Sequence, residues 1–187
     1  TRPWPKGQSR CGNFYSERLK NYLGGTVMSY DSSVNLMWEK FIEASRKEGV
    51  QPESYKFVFR FGDNKKSSDG LLSLVLGRRK RATAYSPWFF EHDGLPLPQV
   101  GDYSIVTDWE GIARCIIQTV HTCTVPFIEV DEEFAIMEGE GDLSLSYWRM
   151  AHESYLSKEC KRTGNVFSYQ MPVFCEVFTV VFEPITG

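Results

Sequence analysis

The feature that most narrows the folds open to this chain is a hairpin signal near its middle. Gly101-Asp102 opens an alternating run over residues 103–109, Glu110-Gly111 makes a tight turn, and residues 113–125 return as a longer strand. A sheet with antiparallel pairing follows, and the flanking patterns say what packs on it. Asp31-Ser32-Ser33 offers N-caps to an amphipathic helix reaching about Lys47, with Val34, Met37, Phe41 and Ala44 three or four residues apart. Tyr55, Phe57, Phe59 and Phe61 alternate with Lys56, Val58 and Arg60, the period of a half-buried strand. Ser67 or Ser68 caps a helix through Leu71, Leu72, Leu74 and Val75. A short helix is expected over residues 131–137 and a longer one from the Ser144 cap to about Cys160. Residues 173–183 form a long strand with apolar residues on both faces, so it is central, and its lone inner charge, Glu176, requires a partner. These elements predict an α+β fold: a small, mainly antiparallel β-barrel with flanking helices.

Its 187 residues suffice for one domain with a sizeable core. Residues 1–29 read as a basic N-terminal extension, either foreign to the native chain or disordered, with Met28 as a natural start, and residues 30–187 as the folded domain. Residues 1–27 hold Arg2, Lys6, Arg10, Arg18 and Lys20 against Glu17 alone, so the overall charge of -3 hides a distinctly acidic remainder. Bulk electrostatics therefore exclude a protein held to nucleic acid by net charge; any such contact needs a local basic patch. No stretch approaches the about 18 apolar residues of a membrane span and no secretory h-region is present, so a soluble cytoplasmic protein is expected, with no membrane partner. Cys11, Cys115, Cys123, Cys160 and Cys175 form no CxxC, and His92, His121 and His152 are scattered; neither a metal site nor a cofactor is implied. Cys115 and Cys123 lie an even number of residues apart on one strand and are expected on one face, filling the barrel.

Two stretches carry chemistry. Gly77-Arg78-Arg79-Lys80-Arg81-Ala82-Thr83-Ala84 places four consecutive cations between a helix and a strand. A helix C-terminus favours one or two cations, each by about 0.3–1 kcal/mol. Four together repel one another and suggest an anion-binding rim. Glu138-Gly139-Glu140-Gly141-Asp142 brings three carboxylates together through two flexible glycines. It reads either as a solvated turn or as a group of acids close enough to shift a pKa. Trp88-Phe89-Phe90, in a loop containing Pro87, Gly94, Pro96 and Pro98, either folds onto the core or forms a lid that stacks on a flat ligand. His152 reads as a core histidine, and Tyr147 and Trp148 as packing residues.

The run from Leu74-Val75-Leu76 through Lys80-Arg81-Ala82-Thr83-Ala84 resembles the Gly-x-Lys-x-x-Thr signature of ASCH domains, which are PUA-like small barrels. Residues 97–106, 126–135 and 138–149 resemble, in the same order, one bacterial branch of that family, so the likeness covers roughly residues 30–183. One departure stands out: where the signature has glycine, this chain has Arg78, with Gly77 one place earlier. The resemblance implies a cleft for RNA, a nucleobase or a nucleoside, with Arg78, Arg79, Arg81, Tyr85, Trp88 and Ser144 as ligand contacts. As the alternative it implies a small hydrolase, either an amidohydrolase of an acylated nucleoside such as acetylated cytidine or a ribonuclease. Thr83 would then be nucleophile, Lys80 its base or an oxyanion stabiliser, and Glu140 or Glu138 the proton carrier. For Lys80 to act as base, burial or neighbouring cations would have to lower its pKa, and Arg78, Arg79 and Arg81 would push it that way.

Overall fold

The computed structural model describes residues 31–184. The expected basic extension and Met28 lie outside the described residues. In chain order the elements are α1 (Ser33–Lys47), β1 (Phe57–Phe59), α2 (Lys65–Leu76), β2 (Ala82–Tyr85), α3 (Pro87–Asp93), β3 (Tyr103–Thr107) and β4 (Ala113–Pro126). A 3-10 turn (Phe127–Glu129), α4 (Glu132–Glu138), α5 (Leu145–Arg162) and β5 (Pro172–Phe182) complete the chain.

The strands form one mixed sheet in the order β1-β3-β4-β5-β2. β1 runs parallel to β3, and the other pairings are antiparallel. The outer strands β1 and β2 do not pair with each other, so the sheet is open and the expected barrel is corrected. The physical reason lies in the edges. Closure needs tilted strands that meet around the ring, whereas β1 has three residues and β2 four. Helices supply the missing walls. At the β1 edge, Val34, Met37 and Phe41 of α1 pack on Val58, Ile105 and Ile116. At the β2 edge, Ala82, Ala84, Val173 and Cys175 pack under Phe134, Trp148 and Leu156 of α4 and α5.

Local chemistry explains most element boundaries. Asp131 Oδ1 accepts from the Phe134 N–H at 2.9 Å to cap α4, and Ser144 Oγ accepts from the Tyr147 N–H at 3.1 Å to cap α5. Asn64, not Ser67 or Ser68, caps α2, its Oδ1 accepting from the Ser67 N–H at 3.0 Å. The expected loop with Trp88-Phe89-Phe90 is largely helix: Pro87 opens α3 and Gly94, at φ 63°, closes it. Trp88 packs against the α4–α5 core, and Phe90 is buried with Phe57 and Leu95. The aromatic run is therefore wall, not lid.

β4 is irregular, with register shifts between Ile116 and Ile117 and between Thr119 and His121. Each shift resets the alternation of side chains. Cys115 consequently packs with Phe178 and Val106, while Cys123 is exposed opposite Cys175, so the two do not share a filled interior as their even spacing suggested.

Arg78 adopts φ 58°, the left-handed region that favours glycine, at the position where the ASCH signature carries glycine. The turn is thus kept and the arginine is strained into it. Arg78→Gly is expected to melt no lower than wild type, whereas Arg78→Val, β-branched at positive φ, loses on the order of 1–2 kcal/mol by thermal or urea unfolding.

Candidate functional site

The basic stretch is fixed at both ends before its side chains do anything. The Leu74 carbonyl accepts from Arg79 N–H at 2.9 Å and Lys80 N–H at 3.0 Å, which closes the end of α2. Arg81 N–H donates to the Met137 carbonyl at 2.8 Å, tying β2 to the end of α4, and its carbonyl accepts from Phe178 N–H at 2.8 Å. Lys80 is thereby turned inward, and its side chain is 2% exposed.

There the ammonium meets the acidic loop. Lys80 Nζ donates to Glu138 Oε2 at 2.8 Å and to Glu140 Oε1 at 2.6 Å. Glu138 is as deeply buried, and its other oxygen accepts from Trp148 Nε1 at 2.8 Å and lies 3.2 Å from His152 Nε2. His152 Nδ1 sits 3.0 Å from the Trp148 carbonyl. Both imidazole nitrogens thus face oxygen atoms. The His152 and Trp148 rings stack, with centroids 4.1 Å apart. The site holds two carboxylates, one ammonium and one imidazole, with Phe61 packed 5.5 Å from the ammonium.

Both loop glycines are required by close approach. A Cβ on Gly139 would sit 2.3 Å from the Arg79 carbonyl oxygen, and one on Gly141 2.4 Å from the Tyr147 ring; both residues have positive φ. The Glu-Gly-Glu-Gly-Asp loop is therefore a fitted strap over Lys80.

The electrostatics follow. Burial pushes the Lys80 pKa down, but Glu138 and Glu140 outweigh it and hold it above the ordinary value. Burial likewise pushes Glu138 up, but Lys80 and then His152 hold its carboxyl well below the usual range. The arginines flanking Lys80 do not lower its pKa as expected, because its ammonium points away from them into carboxylates.

Thr83 goes elsewhere. Alternation on β2 turns Ala82 and Ala84 to the α4–α5 core and Thr83 and Tyr85 to the other face. Thr83 is buried beside Glu176, its register partner, on the same face as Tyr85. Among the described residues no hydrogen bond joins Thr83 to Lys80, Glu138 or Glu140. A lysine locked as ammonium between two carboxylates is in no state to take a proton from a threonine. The hydrolase reading is corrected accordingly.

That other face holds a second polar group. Glu176, 3% exposed, accepts from Thr119 Oγ1 at 2.6 Å, and the Tyr85 hydroxyl lies close enough to lower its pKa slightly. Hydroxyls, not a cation, are the partners its burial required. Burial is the main cause pushing its pKa up to about 7, partly offset by the Thr119 hydroxyl, with Asp102 adding to the rise. Tyr85 is itself raised well above the ordinary value by burial and by Glu176.

At the surface, Arg78, Arg79 and Arg81 line a groove of about 400 Å³ with Ile136, Gly139 and Leu143. Arg78 is ion-paired with Glu183. Arg79 and Arg81 are exposed, and among the described residues neither side chain is engaged in an ion pair. The strap also lines a narrow cleft with Glu140, Ser144, Tyr147 and His152. Ser144 Oγ is occupied by the α5 cap and donates to Asp142 Oδ1 at 2.6 Å. The structure thus joins Lys80, Glu138 and Glu140 in one ion-pair cluster, with the three arginines along the groove; Thr83 is paired in register with Glu176, and Trp88 packs on the α4–α5 core. Trp148 and His152, read as packing residues, hold Glu138; the four-residue spacing that puts them on one helix face was the available signal.

An open sheet whose strapped, buried lysine sits beside an arginine groove defines a class, and the comparisons agree with it. Residues 57–182 match the ASCH domain, and the chain belongs to that PUA-like family. The crystal structure of an ASCH domain from Lactobacillus crispatus JV V101 is 29% identical, with a TM-score of 0.74 over 83% of this chain and 98% of that one. Protein EF3133 from Enterococcus faecalis V583 is 28% identical, with a TM-score of 0.72 over 80% of this chain and 88% of its own. No curated protein matches the chain. Among the described residues no helix is long and apolar enough to cross a membrane.

Two measurements test the energetics. Lys80→Ala strands two carboxylates and is expected to cost about 3–5 kcal/mol in urea unfolding at neutral pH. Glu176 in the folded chain keeps its proton to about 7, against 4.5 for the ordinary carboxyl, so the folded state binds more protons across that interval. Stability from this group is present below 4.5 and lost as pH rises to 7, by on the order of 3 kcal/mol. Glu176→Gln is expected to flatten that decline in a pH series of thermal melts.

Proposed function

We propose that this ASCH domain is a binding module for single-stranded RNA or a nucleoside-bearing molecule. In this reading the groove of Arg78, Arg79 and Arg81 takes the phosphates of the ligand. The carrying observation is the pair of exposed guanidinium groups, Arg79 and Arg81, beside a concave surface of about 400 Å³. Guanidinium forks suit phosphate oxygens, and such contacts position a strand without reading its sequence. Lys80 acts indirectly: its ion pairs hold Glu140 and the strap that shapes the groove.

Family membership is consistent with nucleic-acid association. The chain's negative net charge agrees with a small footprint, since any nucleic-acid contact needs a local basic patch such as this one.

The test is fluorescence-anisotropy binding of short single-stranded RNA across a salt series. Arg79→Ala and Arg81→Ala are each expected to weaken binding severalfold and to reduce the salt slope by about 1, while leaving the melting temperature unchanged. RNA binding that is absent in wild type, or indifferent to both substitutions, refutes the reading.

A further inference from the structure

Cys123 and Cys175 lie directly opposite each other in the β4–β5 ladder. Residues paired in this way on antiparallel strands point to the same face, with Cα atoms about 4.5–5.5 Å apart. That separation falls inside the about 4.4–6.8 Å range that a disulfide spans. Both thiols are free. Their accessibility differs: Cys123 is exposed, whereas Cys175 is 3% exposed within the core that includes Ala84 and Trp148. The register shift between Thr119 and His121 is what turns Cys123 to this face.

We propose that Cys123 and Cys175 are a redox-convertible pair, with Cys123 the entry thiol and Cys175 the resolving thiol, responding to low-molecular-weight disulfides. The Cys123 thiolate attacks one sulfur of a disulfide RSSR, forming Cys123–S–S–R and releasing RS⁻. Cys175 then loses its proton and attacks Cys123 Sγ, expelling the second RS⁻. Two protein thiols are oxidised to one disulfide, RSSR is reduced to two RSH, and the two thiol protons go to the released thiolates.

The order of events follows from exposure and charge. Burial, the neighbouring Cys123 and the carboxylates of Glu138 and Asp131 hold the Cys175 thiol protonated, so it cannot lead. Its place opposite Cys123 supplies the proximity that makes it the resolving partner. The bond would cross-link β4 to β5 at the pair where Cys175 also adjoins Ala84 of β2.

The test treats the full chain with oxidised glutathione and maps peptides under non-reducing conditions. Wild type is expected to lose two hydrogens in intact mass, to yield a Cys123–Cys175 linked peptide, and to revert on treatment with dithiothreitol. Cys175→Ser is expected to stop at a glutathione adduct on Cys123. The inference is overturned if wild type keeps that adduct, if both thiols remain free, or if Cys123 links instead to Cys11, Cys115 or Cys160. The wild-type map decides the matter even where a serine variant fails to fold.

Discussion

A lysine ammonium removed from water is the interaction on which this end of the molecule depends. Desolvating it is costly, and only a nearly complete shell of acceptors offsets the loss. Glu138 and Glu140 provide that shell, and Trp148 and His152 in turn satisfy Glu138. Each requirement recruits another piece of chain. The end of α4 must reach β2, the strap must carry glycine where it meets the Arg79 carbonyl and the Tyr147 ring, and α5 must present residues 148 and 152 on one face. The groove is shaped by the same contacts, because Gly139 and Leu143 are part of its wall.

Much of this was readable from the chain, and the parts that were not have physical reasons. Caps at Asp131 and Ser144 announce α4 and α5 because one side-chain oxygen suffices to start a helix. The hairpin of β3 and β4 is announced by its turn. Lys80 and its carboxylates are 58 and 60 residues apart, a distance no local pattern spans, and it was the family likeness that put them together. Thr83 misled for the opposite reason: it lies near Lys80 in sequence, yet it is paired in register with Glu176, and among the described residues no hydrogen bond joins it to Lys80. Closure of the sheet depends on whether its two edges meet, and nothing in the strand patterns encodes that. The register shifts of β4 are equally silent, so residue spacing along that strand placed Cys123 with the wrong neighbours. The loop expected at residues 87–93 is different, since Pro87 and Gly94 were visible as start and stop signals for a short helix.

Two of the buried acidic groups differ instructively. Glu138 is charged and compensated, Glu176 is screened only by hydroxyls, and a few residues of β2 separate their neighbourhoods. Environment, not residue type, assigns one to ionic architecture and the other to proton uptake.

The mixed sheet has one further consequence. β1 reaches its place only by a parallel crossover to β3, it is three residues long, and it packs with α1 in a cluster that shares no residue with the one around Trp148. The molecule therefore contains two units of unequal cohesion on one ladder. Transient opening at the α1–β1 edge exposes a few apolar side chains and one short row of backbone amides while leaving β4, β5 and the strap closed. Amide exchange is accordingly expected to be partitioned along the sheet, faster at β1 than at the long β4–β5 ribbon.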